Sequence, residues 1–411
     1  MELILHDVIC SLSSSLDLVG ISEVHHGARV AFMAATVAQA LGFDKETELD
    51  LLYAGMLHDC GLSTSEERTH FASEIKCDDF YVHCVRGHDY LRDCAVFEKY
   101  ASWVLHHHTH WQKLKNYPLS TEDKLAANLI FLADRVDFLR TEYLKENDDA
   151  DILLGKVSIV EQIICLRDSY FSPQLVDSFV EVSKREAFWL AMSPSYIHAS
   201  IDVYASFSKP KQVNFETLKS IATLFSKVID EKSHFTKEHS KHVAMLSSFL
   251  AEKMGFDTQA QQHIELAGML HDLGKLRVPN HILDKNDKLN QSEYACILHH
   301  SFDTKRILQK VFPNTKIAEW AGNHHENLLG NGYPFRLKGS ELDLGSRIVT
   351  VADIFQALVQ NRPYRDSLSL QEIKDIMDDM VLEGKLDKHV ISVLEHHYKD
   401  CYHLAQPSCQ M

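Results

Sequence analysis

Proline and glycine are scarce here, 9 and 16 among 411 residues. Both residues punctuate helices and feed turns, so their scarcity argues against a many-stranded fold and for long helices. No C-x-x-C pair occurs among the nine cysteines, and an odd count does not make a disulfide framework, so reduced thiols are expected. No apolar run approaches the roughly 18 residues needed to cross a bilayer. The opening Met1-Glu2-Leu3-Ile4-Leu5-His6-Asp7 has no basic segment before its short apolar run, so no signal peptide is expected. Positive charge is also short: the net formal charge is −16, which leaves no basic surface for a nucleic-acid polymer. The chain is therefore expected to be cytoplasmic, with no membrane partner. A small anion held by local cations remains compatible with that balance.

Histidine is in excess, at 26 residues. Its most informative setting is Ala267-Gly268-Met269-Leu270-His271-Asp272-Leu273-Gly274-Lys275, an imidazole beside a carboxylate at the end of an apolar helix. Neighbours on a helix point about 100° apart, so this pair can hold a metal only with help from other helices. Candidates are His239 upstream and His300, His324, His325 and Asp353 downstream, too many donors for one ion and suited to two. Asp272 is the natural bridge, because a carboxylate has two oxygens. His239, His271 and Asp353 would complete one position and His300, His324 and His325 the other. So many imidazoles favour two divalent transition ions, iron or manganese, over magnesium.

The same pattern occurs earlier. Ala54-Gly55-Met56-Leu57-His58-Asp59 repeats the later motif, and His26 precedes His58 as His239 precedes His271, both at a constant offset of 213 residues. Further along, His107-His108 answers His324-His325, and Asp134 answers Asp353. His88 is taken as the counterpart of His300, with His83 competing for that place. Lys275 is matched by Leu62 and Glu326 by Thr109, so the first copy keeps a second candidate metal set (His26, His58, Asp59, His88, His107, His108, Asp134) and loses the groups around it. Metal binding is expected there, with catalysis assigned to the second copy. The Pro194 and Pro210 region breaks the helical pattern, giving an N-terminal domain over 1–208 and a C-terminal one over 209–411. The second opens with an amphipathic helix capped by Asn214.

From about Asn214 to Arg365 these motifs resemble the HD-GYP family of bacterial metal-dependent phosphodiesterases: Thr236-Lys237-Glu238-His239, His271-Asp272-Leu273-Gly274-Lys275, His300, His324-His325-Glu326, Gly332-Tyr333-Pro334, Asp353 and Arg362-Pro363-Tyr364-Arg365. The first copy looks like a plain HD domain without the Gly-Tyr-Pro loop. The resemblance implies an all-α chain of two tandem HD-type helical bundles, the second an HD-GYP domain. It implies hydrolysis of a 3′,5′-cyclic dinucleotide, 3′,3′-cyclic GMP-AMP or cyclic di-GMP, to the linear 5′-phosphorylated dinucleotide by a two-metal bridging hydroxide. Asp272 and Lys275 would be catalytic, the lysine facing the bound phosphate. Tyr333, Arg362 and Arg365 would contact substrate, the arginines clamping the non-reacting phosphate. Glu326 would accept a hydrogen bond that orients a histidine. Three departures stand out: Leu329 replaces an acidic residue, Gln356 replaces the aspartate of Asp-Ala-Leu, and Phe235 replaces a third-metal glutamate, predicting two ions. Two other readings stay open, an HD phosphohydrolase of a mononucleotide or alarmone, and a non-catalytic cyclic-dinucleotide sensor. A homodimer or a signalling partner is compatible with each.

Overall fold

The structure is a computed structural model that describes residues 2–17, 25–62, 81–205, 211–232, 238–285, 287–360 and 368–406. Apart from a two-residue antiparallel pair, Glu2–Leu3 with Lys211–Gln212, its regular elements are helices, and the fold is all-α. The chain divides into two compact units, Met1–Val213 and Asn214–Met411. The expected boundary between 208 and 209 lies outside the described residues.

In the first unit the main helices are α1 (Leu5–Leu16), α2 (His26–Leu41), α3 (Lys45–Leu57), α4 (Tyr81–Arg92), α5 (Glu98–His106), α6 (Thr121–Leu144), α7 (Ile152–Cys165), α8 (Pro173–Ser183) and α9 (Ile197–Ala205). In the second they are α10 (Phe215–Lys232), α11 (His239–Lys253), α12 (Thr258–Leu270), α13 (Gln291–Val311), α14 (Ile317–Gly322), α15 (Leu344–Val359), α16 (Leu370–Leu382), α17 (Lys388–His396) and α18 (Tyr398–Ala405). The amphipathic helix read from the sequence is α10; Asn214 accepts the Thr217 amide at 2.9 Å, and Leu218, Ile221, Ala222, Phe225 and Val228 are buried.

The duplication is visible in local chemistry. Helices α2 and α11 each start after a residue in the left-handed region, His25 (φ 72°) and Glu238 (φ 65°), placing His26 and His239 at the first helical position. Each is followed within two residues by a glycine with positive φ, Gly42 or Gly255, where a side chain would be strained. Helices α3 and α12 are then capped by Asp44 and Asp257, which accept the Thr47 and Ala260 amides, both at 2.8 Å. The pairs α2–α3 and α11–α12 pack closely, and each second helix ends by delivering its His-Asp pair.

Two residues beyond that pair the backbone approaches another helix too closely for any side chain. A Cβ at Gly274 would lie 2.0 Å from the His300 carbonyl oxygen, and a Cβ at Gly61 would lie 2.0 Å from that of His83. The glycine in the motif is thus what lets the His-Asp turn press against the helix carrying the next histidine. The same contact equates His83, not His88, with His300. We expect Gly274→Ala to destabilise the second unit by about 1–3 kcal/mol, the range of overpacked cores, seen as a lower denaturation midpoint.

Candidate metal centre

In the second unit, α11 brings His239, the end of α12 brings His271 and Asp272, α13 brings His300, the turn after α14 brings His324 and His325, and α15 brings Asp353. Packing of α11, α12, α14 and α15 brings these far-separated residues to one place. His239 Nε2 lies 3.2 Å from His271 Nε2 and 3.3 Å from Asp353 Oδ1. His300 Nε2 lies 3.1 Å from His324 Nε2, and His325 completes that second group. Between the two groups sits Asp272, fully buried. Its Oδ2 is 3.2 Å from His271 Nε2, while its Oδ1 is 3.6 Å from His300 Nε2 and 3.7 Å from His324 Nε2.

The imidazoles are oriented for their Nε2 atoms to serve as donors. Nδ1–H of His271 donates to Gly268 O at 2.8 Å, that of His300 to Ile297 O at 2.6 Å, and that of His324 to Ala321 O at 2.6 Å. Each carbonyl is three residues back, so the local backbone fixes the tautomer. Burial, with His325 alongside, pulls His300 down to about 3 and His324 well below its ordinary value, so both rings are neutral and keep their lone pairs. Burial acts the same way on His271, but the Asp272 and Asp353 carboxylates override it and push that ring up to about 9. Asp272 is held well below the usual carboxylate range, burial opposing and His271 and Lys275 prevailing.

These residues fit a pair of divalent ions. Ligand atoms around one ion at about 2.0–2.2 Å stand roughly 3–3.5 Å apart, matching the closest spacings within each group. Asp272 Oδ1 is buried with no hydrogen-bond partner, a costly arrangement for a carboxylate oxygen unless a cation faces it. Its two oxygens address different groups, the geometry of a bridge.

Lys275 reaches Asp272 Oδ2 at 2.6 Å from a partly exposed position at the edge of the cluster. Tyr333 lies over His325, ring centroids 4.7 Å apart. Arg362, Arg365 and Phe235 lie outside the described residues. Glu326 does not orient a histidine. Its carboxylate accepts the backbone N–H groups of Phe335, Arg336 and Leu337 at 2.6, 3.0 and 3.0 Å, because the turn after Pro334 leaves those donors without helix or strand partners. The glutamate thus braces the Gly-Tyr-Pro loop.

The first unit repeats the arrangement with changes. His26 Nε2 is 3.3 Å from His58 Nε2 and 3.4 Å from Asp134 Oδ1, and Asp59 Oδ1 is 3.4 Å from His58 Nε2. The second group there forms around His83, whose Nε2 is 3.3 Å from His107 Nε2, with His108 and Cys84 beside it. His88 is not in the group. It is one turn further along α4, partly exposed, and bonds to Asp89 at 3.0 Å. Leu62, at the lysine position, is in the core.

Two features escaped the sequence reading. Arg135 sets its guanidinium on Asp134 Oδ2 at 2.7 and 3.0 Å, a cation absent from the second unit, where Ile354 follows Asp353. The leading histidines also have dedicated side-chain partners, three residues after the last aspartate. His26 Nδ1 is 2.8 Å from Asp137, which a bidentate Arg29 neutralises, whereas His239 Nδ1 donates to Gln356 Oε1 at 2.5 Å. Position 242, equivalent to Arg29, is a histidine bonded to Leu404 O, so the neutral amide at 356 needs no guanidinium opposite it. The matching i, i+3 spacing was the available signal.

Because Glu326 braces the loop and not a ligand, we expect Glu326→Ala to speed amide exchange at Phe335, Arg336 and Leu337 at least several-fold while leaving bound metal unchanged. Hydrogen exchange alongside elemental analysis checks both; loss of metal would restore the histidine-orienting role.

No helix among the described residues is long and apolar enough to cross a membrane. Residues 24–139 and 223–390 each match an HD domain family, and HD domains are metal-dependent phosphohydrolases. The chain is 39% identical over 396 residues, 96% of its length and 92% of the relative's, to 3′3′-cGAMP-specific phosphodiesterase 1 of Vibrio cholerae. It is 30% identical to 3′3′-cGAMP-specific phosphodiesterase 3 of the same organism, over 72% of this chain and 62% of that one. The crystal structure of a cyclic GMP-AMP specific phosphodiesterase of V. cholerae matches with a TM-score of 0.66 at 23% identity, over 97% of this chain and 98% of that one, a likeness of fold. With its two HD domains, the chain belongs to the HD-GYP family of cyclic-dinucleotide phosphodiesterases.

Proposed function

We propose that the chain is a metal-dependent phosphodiesterase that opens 3′,3′-cyclic GMP-AMP to the linear 5′-phosphorylated dinucleotide, with cyclic di-GMP as the alternative substrate. The relative matched over nearly the whole chain, both HD copies included, carries the first substrate in its name. The single observation supporting catalysis in the second unit is Asp272, buried between two donor groups with one oxygen toward each. His239, His271 and Asp353 would hold one ion and His300, His324 and His325 the other. Iron or manganese suits this imidazole-rich shell. When bound, the pair supplies Lewis acidity to the phosphoryl oxygens and lowers the pKa of a water.

The protein's own groups do the rest. Asp272 fixes the distance between the two positions, and the carbonyl-anchored rings keep their Nε2 atoms converged before substrate arrives, so little reorganisation is left for the reaction. Lys275, partly exposed and paired with Asp272, would turn toward a phosphoryl oxygen and stabilise charge as the bond breaks. Tyr333 offers an aromatic face beside His325, and the sequence motif alone assigns Arg362 and Arg365 to the phosphate that does not react. Water oxygen joins phosphorus, the P–O3′ bond breaks, and the 3′ oxygen leaves as a hydroxyl carrying the water's proton.

Metal-loaded protein incubated separately with 3′,3′-cyclic GMP-AMP, cyclic di-GMP and cyclic di-AMP should give linear dinucleotide from the first. Product from none would defeat the enzyme reading in favour of a sensor. His271→Ala and Asp272→Ala should each lower turnover by about a thousandfold or more, the equivalent of several kcal/mol of lost Lewis-acid stabilisation. His58→Ala should retain part of the activity; an equally dead His58→Ala would move catalysis, or a share of it, to the first unit.

A further inference from the structure

Where the second unit has Ser301 beside His300, the first unit has Cys84 beside His83. The thiol is buried, with 1% of the residue exposed, and faces into the histidine group. Its Sγ lies 3.7 Å from His83 Nε2 and 3.6 Å from His107 Nδ1. His107 Nδ1 is committed to Val104 O at 2.5 Å, so its free donor is Nε2, 3.3 Å from His83 Nε2. One ligand atom each from His83, Cys84, His107 and His108 falls within a common 4.8 Å span.

The 3.3 Å His83–His107 Nε2 spacing and the 3.7 Å Cys84 Sγ–His83 Nε2 spacing match two edges of a coordination tetrahedron. Nitrogens at about 2.0–2.1 Å and a sulfur at about 2.3 Å from a zinc ion stand about 3.3–3.4 Å apart for N–N and about 3.6 Å for N–S. The corresponding residues of the second unit form no such shell, because a serine hydroxyl is a poor ligand; Ser301 Oγ is 3.2 Å from His300 Nε2. The two units therefore present different donor sets at equivalent places, one all nitrogen and oxygen, the other with a soft sulfur.

We propose that Cys84 supplies a thiolate to the ion position formed by His83, His107 and His108, making it a one-sulfur, three-nitrogen site that selects a soft divalent ion such as zinc. The Sγ–H proton is released to solvent as the sulfur–metal bond forms. The first unit then holds an ion of different preference from the iron or manganese of the second. This claim stands apart from the substrate assignment, since it concerns only ligands of the first unit.

The test uses the full chain, stripped of metal and titrated with cobalt(II). A near-ultraviolet thiolate-to-cobalt charge-transfer band should grow in, persist in His271→Ala and Cys60→Ser, and disappear in Cys84→Ser. Absence of the band in the unaltered chain, or its survival in Cys84→Ser, would overturn the proposal. Because a variant can fail to fold, zinc-loaded unaltered protein is also measured by X-ray absorption. A sulfur scatterer at about 2.3 Å supports the thiolate, and a shell of nitrogen and oxygen alone contradicts it.

Discussion

The second unit depends on a single buried carboxylate. Asp272 sits at the junction of two donor groups, its Oδ2 toward His271 and His239 and its Oδ1 toward His300 and His324. A lone carboxylate so far from water is costly unless positive charge meets it. Lys275 meets one oxygen, and the other lies 3.6 and 3.7 Å from the His300 and His324 imidazole nitrogens. The surrounding structure serves this constraint. Gly274 lets the His-Asp turn close on α13, and the i−3 carbonyls pin the rings. Glu326 holds the loop that carries Tyr333 over His325.

Duplication explains how two units reach the same geometry, and divergence shows which parts were free to change. The capping aspartates, the positive-φ helix ends and the close glycines recur in both, because each enforces a backbone path. The charged groups around the donors did not recur. The first unit trades the lysine for Leu62 and adds Arg135 on Asp134, shifting its cation from one side of the cluster to the other. It keeps an Asp137–Arg29 pair behind the leading histidine where the second unit uses Gln356. It places a thiol where the second unit has a hydroxyl. The scaffold is shared, and the electrostatics are separately set.

Much of this was legible in the sequence, for a physical reason. Metal-type residues at helix ends are few, and the 213-residue repeat set His26 against His239 and His58-Asp59 against His271-Asp272 without gaps. What was not legible lies where the register drifts or where a contact runs through backbone. His83 and His88 are both plausible by spacing, and they separate only in three dimensions, where Gly61 closes on the His83 carbonyl and the His83 ring meets His107. Glu326 beside two histidines suggests a partner for one of them, yet its acceptors are spent on the amides of Phe335, Arg336 and Leu337, which no pattern announces. Gln356 stood out as a departure, but its bond to His239 Nδ1 emerges only when α15 packs on α11.

The central claim is that Asp272 joins two ion positions into one centre. Anomalous diffraction from crystals of metal-loaded protein tests it directly. The account predicts two peaks in the second unit, about 3.5–4 Å apart, with one Asp272 oxygen on each. A single peak, or two peaks of which Asp272 touches only one, would contradict it.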